Sequence, residues 1–182
     1  MKKNILSVAF FLCTFAQGLE IKVIELSQID EVKELITRIA YQIFRISGSM
    51  EQFRQEIVDT RQYYDIENVQ TVYLDNNGMF LVLLDGEKVV ASGGIRKIDE
   101  STAELKRMWM LEEYRGKGWG TKIALKLIAF AKEQGYKKIR LDVWKPEYQE
   151  AAISFYKKLG FYEIPPRPNS RVKCSMEKNL LT

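Results

Sequence analysis

The run Arg115-Gly116-Lys117-Gly118-Trp119-Gly120-Thr121 sets three alternate glycines immediately ahead of a long amphipathic stretch. Glycines leave backbone N–H groups unshielded and let the chain turn tightly. A helix beginning there presents N–H groups without intrahelical acceptors, at the positive end of its dipole. That is the chemistry of a cradle for a phosphorylated ligand, and Lys117 and Lys122 add positive charge beside it. The chain contains no Gly-x-x-x-x-Gly-Lys-Ser/Thr run, so it has no P-loop. The glycine spacing and late position also fail the Gly-x-Gly-x-x-Gly dinucleotide fingerprint. Taken alone, the run reads equally well as an ordinary glycine-rich strand-to-helix turn.

Composition narrows the remaining chemistry. The 182 residues contain no histidine, which removes the commonest general base and the commonest metal ligand. His-dependent hydrolases and His-based zinc sites are excluded, and no metal is expected. Two cysteines, Cys13 and Cys174, cannot form a disulfide framework. Cys174, placed mid-strand, reads as an inert thiol. The first 91 residues carry 9 Lys and Arg against 13 Asp and Glu, whereas the remaining 91 carry 19 against 11. The glycine run lies in the basic half. Those lysines are interspersed with acids and no nucleic-acid motif accompanies them, so a phosphate-rich small ligand is expected rather than nucleic acid.

The elements that must position this loop follow from periodicity. Residues 21–26 alternate as a strand, and residues 30–44 carry helical apolar spacing. Ser49 and Gln52 form a capping-box pattern for a second helix. Residues 63–78 are polar and tyrosine-rich, ending in an Asn76-Asn77-Gly78 turn. Strands at 79–84 and 88–98 flank the Asp85-Gly86 turn as a hairpin, with Gly93-Gly94 marking a bulge or close packing. A third strand, 103–111, runs into the glycine loop. A helix at 121–134 ends at Gly135, a strand follows at 138–144, and a helix at 149–159 ends at Gly160. Two closing strands, 161–164 and 172–177, surround the proline-rich 165–168. Residues 19–182 thus read as one domain of α/β (α+β) class. It should hold a mixed, mainly antiparallel sheet of about six to seven strands flanked by about four helices.

Three blocks, in order, make this arrangement resemble the GNAT superfamily of N-acetyltransferases over about residues 19–180. The first runs from Ala103 through Glu104, Met108 and Met110 to the glycine loop. The second is Lys138-Ile139-Arg140-Leu141-Asp142-Val143. The third is Ala151-Ala152-Ile153-Ser154-Phe155-Tyr156-Lys157-Lys158-Leu159-Gly160-Phe161. The resemblance implies acetyl-CoA as co-substrate. Its pyrophosphate would lie on the amides of Arg115, Gly116, Lys117, Gly118, Trp119, Gly120 and Thr121. Its pantetheine arm would lie on the backbone of Met108 and Met110. Gln149 stands where relatives often carry Asn.

Acyl transfer needs a neutral amine, and deprotonating an alkylammonium at pH 7 costs roughly 4–5 kcal/mol. Glu104 matches a glutamate base of some relatives, and Tyr156 matches a tyrosine that serves the departing thiolate. The structural alternatives are an ion pair for Glu104 and a core ring beside Phe155 for Tyr156. Alternation puts Glu104, Lys106, Met108 and Met110 on one strand face, and Leu105, Arg107 and Trp109 on the other. Tyr63, Tyr64 and Tyr73 either shape an acceptor pocket or pack. The expected function is acetyl transfer to a primary amine by direct attack in a ternary complex; the alternative is an inactive acyl-CoA-binding sensor or interaction module. The partner would be a small-molecule or peptide amine, with no stable membrane span and homodimerisation allowed. Acids on the second helix (Glu51, Glu56, Asp59) would favour a cationic amine unless they are only a solvated face. Residues 1–18, with Lys2-Lys3, an apolar run and Thr14-Phe15-Ala16, resemble a secretory signal peptide, reflect an upstream start, or add an apolar strand or helix to the domain. CoA chemistry instead predicts the cytoplasm.

Overall fold

The computed structural model describes residues 18–167 and 172–180. The apolar segment at 1–17, with Cys13, and Pro168 lie outside the described residues. Among the described residues, one seven-stranded sheet has the order β1-β2-β3-β4-β5-β7-β6. Its strands are β1 (Glu20–Val23), β2 (Met79–Asp85), β3 (Lys88–Lys97), β4 (Thr102–Met110), β5 (Lys138–Val143), β6 (Tyr162–Ile164) and β7 (Cys174–Asn179). Every pairing is antiparallel except β4 with β5, so the expected mixed sheet is present. The helices are α1 (Ile29–Ile43), α2 (Met50–Asp59), α3 (Tyr64–Glu67), α4 (Trp119–Glu133) and α5 (Glu150–Lys158). None of the described helices is long and apolar enough to cross a membrane.

Local chemistry explains most of the boundaries. The Ser49 hydroxyl accepts from the Gln52 amide at 3.1 Å and the Gln52 side chain accepts from the Ser49 amide at 2.9 Å, so the capping box starts α2 as its sequence implies. Gly135 and Gly160 follow α4 and α5 with φ near +83°, the left-handed conformation that stops a helix. Residues 63–78 are more ordered than their polarity suggests. They form α3 and a π-helical turn at Gln70–Leu74, because Ile66, Val69 and Tyr73 are all withdrawn from solvent.

Two glycines show where the core divides. A Cβ at Gly93 would sit 2.5 Å from Met108 Sδ and 2.8 Å from Ile123 of α4. A Cβ at Gly94 would sit 2.8 Å from both Tyr73 and Phe80. Successive residues face opposite sides. So α4 packs on one face of β3 and β4, while α1 and the 64–74 segment pack on the other. The Gly93-Gly94 pair is there for close packing on both faces.

Candidate active site

The parallel pairing of β4 with β5 is short. It joins Thr102, Ala103 and Glu104 to Lys138, Ile139 and Arg140, and then stops. Beyond that point β4 pairs only with β3, and β5 only with β7. The two strands therefore part like a wedge whose apex is the Glu104–Arg140 pair and whose open end meets the glycine loop.

A bulge re-aims β4 within this wedge. Ser92 pairs with Trp109 and Gly94 with Lys106, so β4 spends one residue more than β3 between the two pairings. Arg107 has φ +57° there. Strict alternation therefore fails: Met108 and Met110 leave the face of Glu104 and Lys106. Met108 approaches α4, and Met110 lies by Gly120 at the start of α4. Glu104, Lys106, Arg107 and Trp109 share the α1 face, where Lys106 and Arg107 both reach Asp65 and Trp109 meets Phe44. The Leu111 amide bonds the Val90 carbonyl at 3.0 Å. Antiparallel alternation then leaves the N–H and C=O groups of Met108 and Met110 turned to the unpaired edge.

The bulge is tied down by a buried ion pair. Asp65, 5% exposed, accepts from Arg107 Nη2 at 2.6 Å, Arg107 Nε at 3.1 Å and the Tyr73 hydroxyl at 2.8 Å. Burial opposes its charge, but the Arg107 hydrogen bond and charge, with Lys106 and Tyr73, hold its carboxyl at about 2. Burial, then the Asp65 charge, raises the Tyr73 phenol. The Ser92 hydroxyl donates to the Arg107 carbonyl at 2.8 Å. Tyr63 is buried against Thr37 through a 2.7 Å hydrogen bond, and Tyr64 is exposed, so the three tyrosines do not form one pocket wall.

At the open end, Gly116 and Gly118 take φ +72° and +82°, and nothing lies within 4 Å of where their Cβ atoms would be. Gly118 is the N-cap of α4 and supplies no side-chain cap. The amides of Trp119, Gly120 and Thr121 thus lack intrahelical acceptors. Arg115 folds back, its Nε donating to the Met110 carbonyl at 2.9 Å. The Lys122 ammonium covers the Trp119 ring at 3.9 Å, and Lys117 lies 5.8 Å from the Tyr114 ring. No carboxylate occurs from Arg115 to Lys122. An anion fits this donor set.

Phe155 of α5 comes to 3.9 Å from the Gly120 Cβ position, so α5 closes the α4 side of the wedge. Tyr156 is half-buried between Phe155 and Phe161, and burial raises its phenol. Its hydroxyl makes no hydrogen bond to any described residue. Gln149 caps α5, and its Oε1 accepts weakly from the Lys145 amide at 3.4 Å. Glu104 is 7% exposed and accepts from Arg96 at 2.7 Å, with Arg167 at 3.6 Å and Lys106 at 4.0 Å. Cys174 is half-buried, and burial raises its thiol. Glu51, Glu56 and Asp59 face solvent on α2.

Sequence reasoning missed Asp65, whose polar neighbourhood carries no periodicity. It also missed a set of rings across the wedge. Phe44, just past α1, meets Trp109 of β4 edge-on at 6.3 Å and Trp144, just past β5, at 5.1 Å.

The splayed strands, the glycine loop and the uncapped α4 fit the site that the resemblance to the N-acetyltransferases implies. The chain matches the model of the acetyltransferase (GNAT) family over residues 38–161, and it belongs to that family. It is 31% identical over 110 residues to human N-acetyltransferase 8B, covering 57% of this chain and 48% of that protein. It is also 31% identical over 103 residues to the Escherichia coli N-acetyltransferase YjgM, covering 55% and 60%. The chain thus spans about half the length of the curated relatives it matches. Among solved structures, an acetyltransferase from Streptococcus agalactiae superposes with a TM-score of 0.74 at 26% identity, over 90% of this chain and 99% of that one. The PaiA N-acetyltransferase of Thermoplasma acidophilum, solved with coenzyme A, shares the fold with a TM-score of 0.71 at 21% identity, over 89% and 99%.

Proposed function

We propose that this chain is an acetyl-CoA-dependent N-acetyltransferase acting on a primary amine by direct attack in a ternary complex. One observation carries the reading: β4 and β5 part at Glu104–Arg140, and the wedge ends on the uncapped amides of α4. Bound there, acetyl-CoA supplies a thioester whose carbonyl carbon takes the amine nitrogen while the C–S bond breaks. The amides from Arg115 to Thr121 hold the pyrophosphate, and the backbone of Met108 and Met110, turned away from β3, holds the extended arm. Gln149 lines the α5 side.

Glu104, at the apex and on the α1 face, takes up the amine proton through water. Arg96 and Arg167 bind its two oxygens and fix its direction. Tyr156 donates to the departing thiolate. Its raised pKa keeps the proton on the phenol throughout the neutral range, so it serves as a hydrogen-bond donor.

A thermal melt tests the reading. Acetyl-CoA at a hundred times its Kd adds about 2.7 kcal/mol to stability, which raises the Tm by several degrees. Gly118→Glu, which forces a side chain into φ +82° and adds an anion to the loop, abolishes the shift. A folded wild type with no shift at millimolar acetyl-CoA refutes the assignment.

A further inference from the structure

The α1 side of the wedge has a mouth with its own charge. Trp109 lies between Met108 and Met110 on β4 but faces the other way, and Phe44 bridges it to Trp144 across the parted strands. These rings form a wall behind which the wedge lies. Outside the wall, two loops meet: the one following α1 and the one between β5 and α5. They leave Trp144 47% and Tyr148 41% exposed, whereas Phe44 is 7% exposed. Flat apolar surface is therefore open to solvent beside the proposed transfer centre.

Two cations stand on that surface. The Lys145 ammonium lies 4.6 Å from the Trp144 ring centre, 5.8 Å from Tyr148 and 5.9 Å from Phe44. The Arg45 guanidinium lies 5.9 Å from Tyr148. Arg45 occupies the left-handed position that ends α1, with φ +48°, so the end of the helix sets the direction of its side chain. Neither cation has a carboxylate partner among the described residues. An aromatic face attracts a cation but leaves its charge uncancelled. Both cations lie within 5.9 Å of the Tyr148 ring centre, so an anion at that ring can draw on either charge.

The charges of the neighbouring cavity already have partners. A cavity of about 370 Å³ lies beyond the wedge apex, lined by Arg140, Asp142, Arg167, Ser175 and Glu177 among others. There Arg140 binds Glu177 at 2.6 Å, the Ser175 hydroxyl donates to Asp142 at 2.6 Å, and Arg167 approaches Glu104.

We infer that the mouth binds an amine acceptor that carries a carboxylate, held by Arg45 and Lys145 with its apolar body against Trp144 and Tyr148. This rests on the acetyltransferase reading above and supplies the acceptor class, which is amino-acid-like rather than polyamine-like. The acids of α2 do not govern the choice.

The test compares two product analogues that differ only in the carboxylate, N-acetylphenylalanine and N-acetylphenethylamine. Each is titrated into the full chain while tryptophan fluorescence is followed, and thiol release from acetyl-CoA is measured separately with phenylalanine, phenethylamine and spermidine. The carboxylate-bearing analogue should bind at least about tenfold more tightly, with an advantage that fades as salt rises. Lys145→Met keeps the apolar stem, and Arg45→Gly suits the left-handed backbone, so both variants retain the fold; each should reduce the preference towards parity. Equal affinity of the two analogues, an unchanged preference in both variants, or faster turnover with spermidine overturns the inference. Carboxylate-selective binding without thiol release from any amine upholds the subsite and instead refutes the transferase reading.

Discussion

Asp65 is the most informative residue to perturb, because the bulge that turns Met108 and Met110 to the wedge hangs on it. Its carboxyl falls from an ordinary 3.8 to about 2 in the fold. At roughly 1.4 kcal/mol per pKa unit, that is about 2.5 kcal/mol of stability. The folded pKa is the lower one, so the contribution is complete above about pH 5 and is lost as pH falls through 2, with about half remaining at pH 3. Asp65→Ala does more than remove this term, because it leaves the Arg107 guanidinium buried without its partner. Breaking a buried pair in this way costs about 3–5 kcal/mol. For a chain of 182 residues that lowers the Tm by roughly 6–20 °C. Arg107→Gly in the Asp65→Ala background removes the orphaned charge and relieves φ +57°, so the double variant should recover most of the loss. Urea unfolding at pH 7, 4 and 3 reads all of this, and the gap between wild type and Asp65→Asn should narrow as pH falls. A cost below about 1 kcal/mol for Asp65→Ala, or a double variant no better than the single, refutes the argument.

Three further outcomes are expected. Tyr156→Phe lowers kcat by roughly 10²-fold with little change in acetyl-CoA affinity, read by thiol release and thermal shift; equal activity returns Tyr156 to packing. Glu104→Gln lowers kcat by roughly 10–10²-fold with little change in Tm; a fall in Tm with unchanged kcat makes Glu104 a structural partner of Arg96. Gly93→Ala places a methyl 2.8 Å from Ile123 and 2.5 Å from Met108 Sδ, and should cost about 1–3 kcal/mol in urea unfolding, because overpacking a filled core forces its neighbours aside.

Local chemistry in the chain was enough to determine the helices with caps and stripes, the hairpin at Asp85-Gly86, and the glycine loop ahead of α4. Each is specified within a few residues by φ requirements, capping groups or apolar period. Three sequence blocks, each around one element, were likewise enough to point to the family. The wedge face was not legible. Alternation along β4 put Met108 with Glu104, and a single extra residue at Arg107 reversed that relation. The bulge depends on partners far along the chain: Ser92, with its hydroxyl on the Arg107 carbonyl, and Asp65, with its carboxylate on the guanidinium. Glu104 was identified as a candidate, but its surrounding cations come from β3, β4 and the segment after β6. The Phe44, Trp109 and Trp144 rings lie on three separate elements. Such groups meet only when the sheet register closes the long loops between them. A one-residue slip in that register moves a side chain to the other face, so the tertiary structure alone decided what faces the wedge.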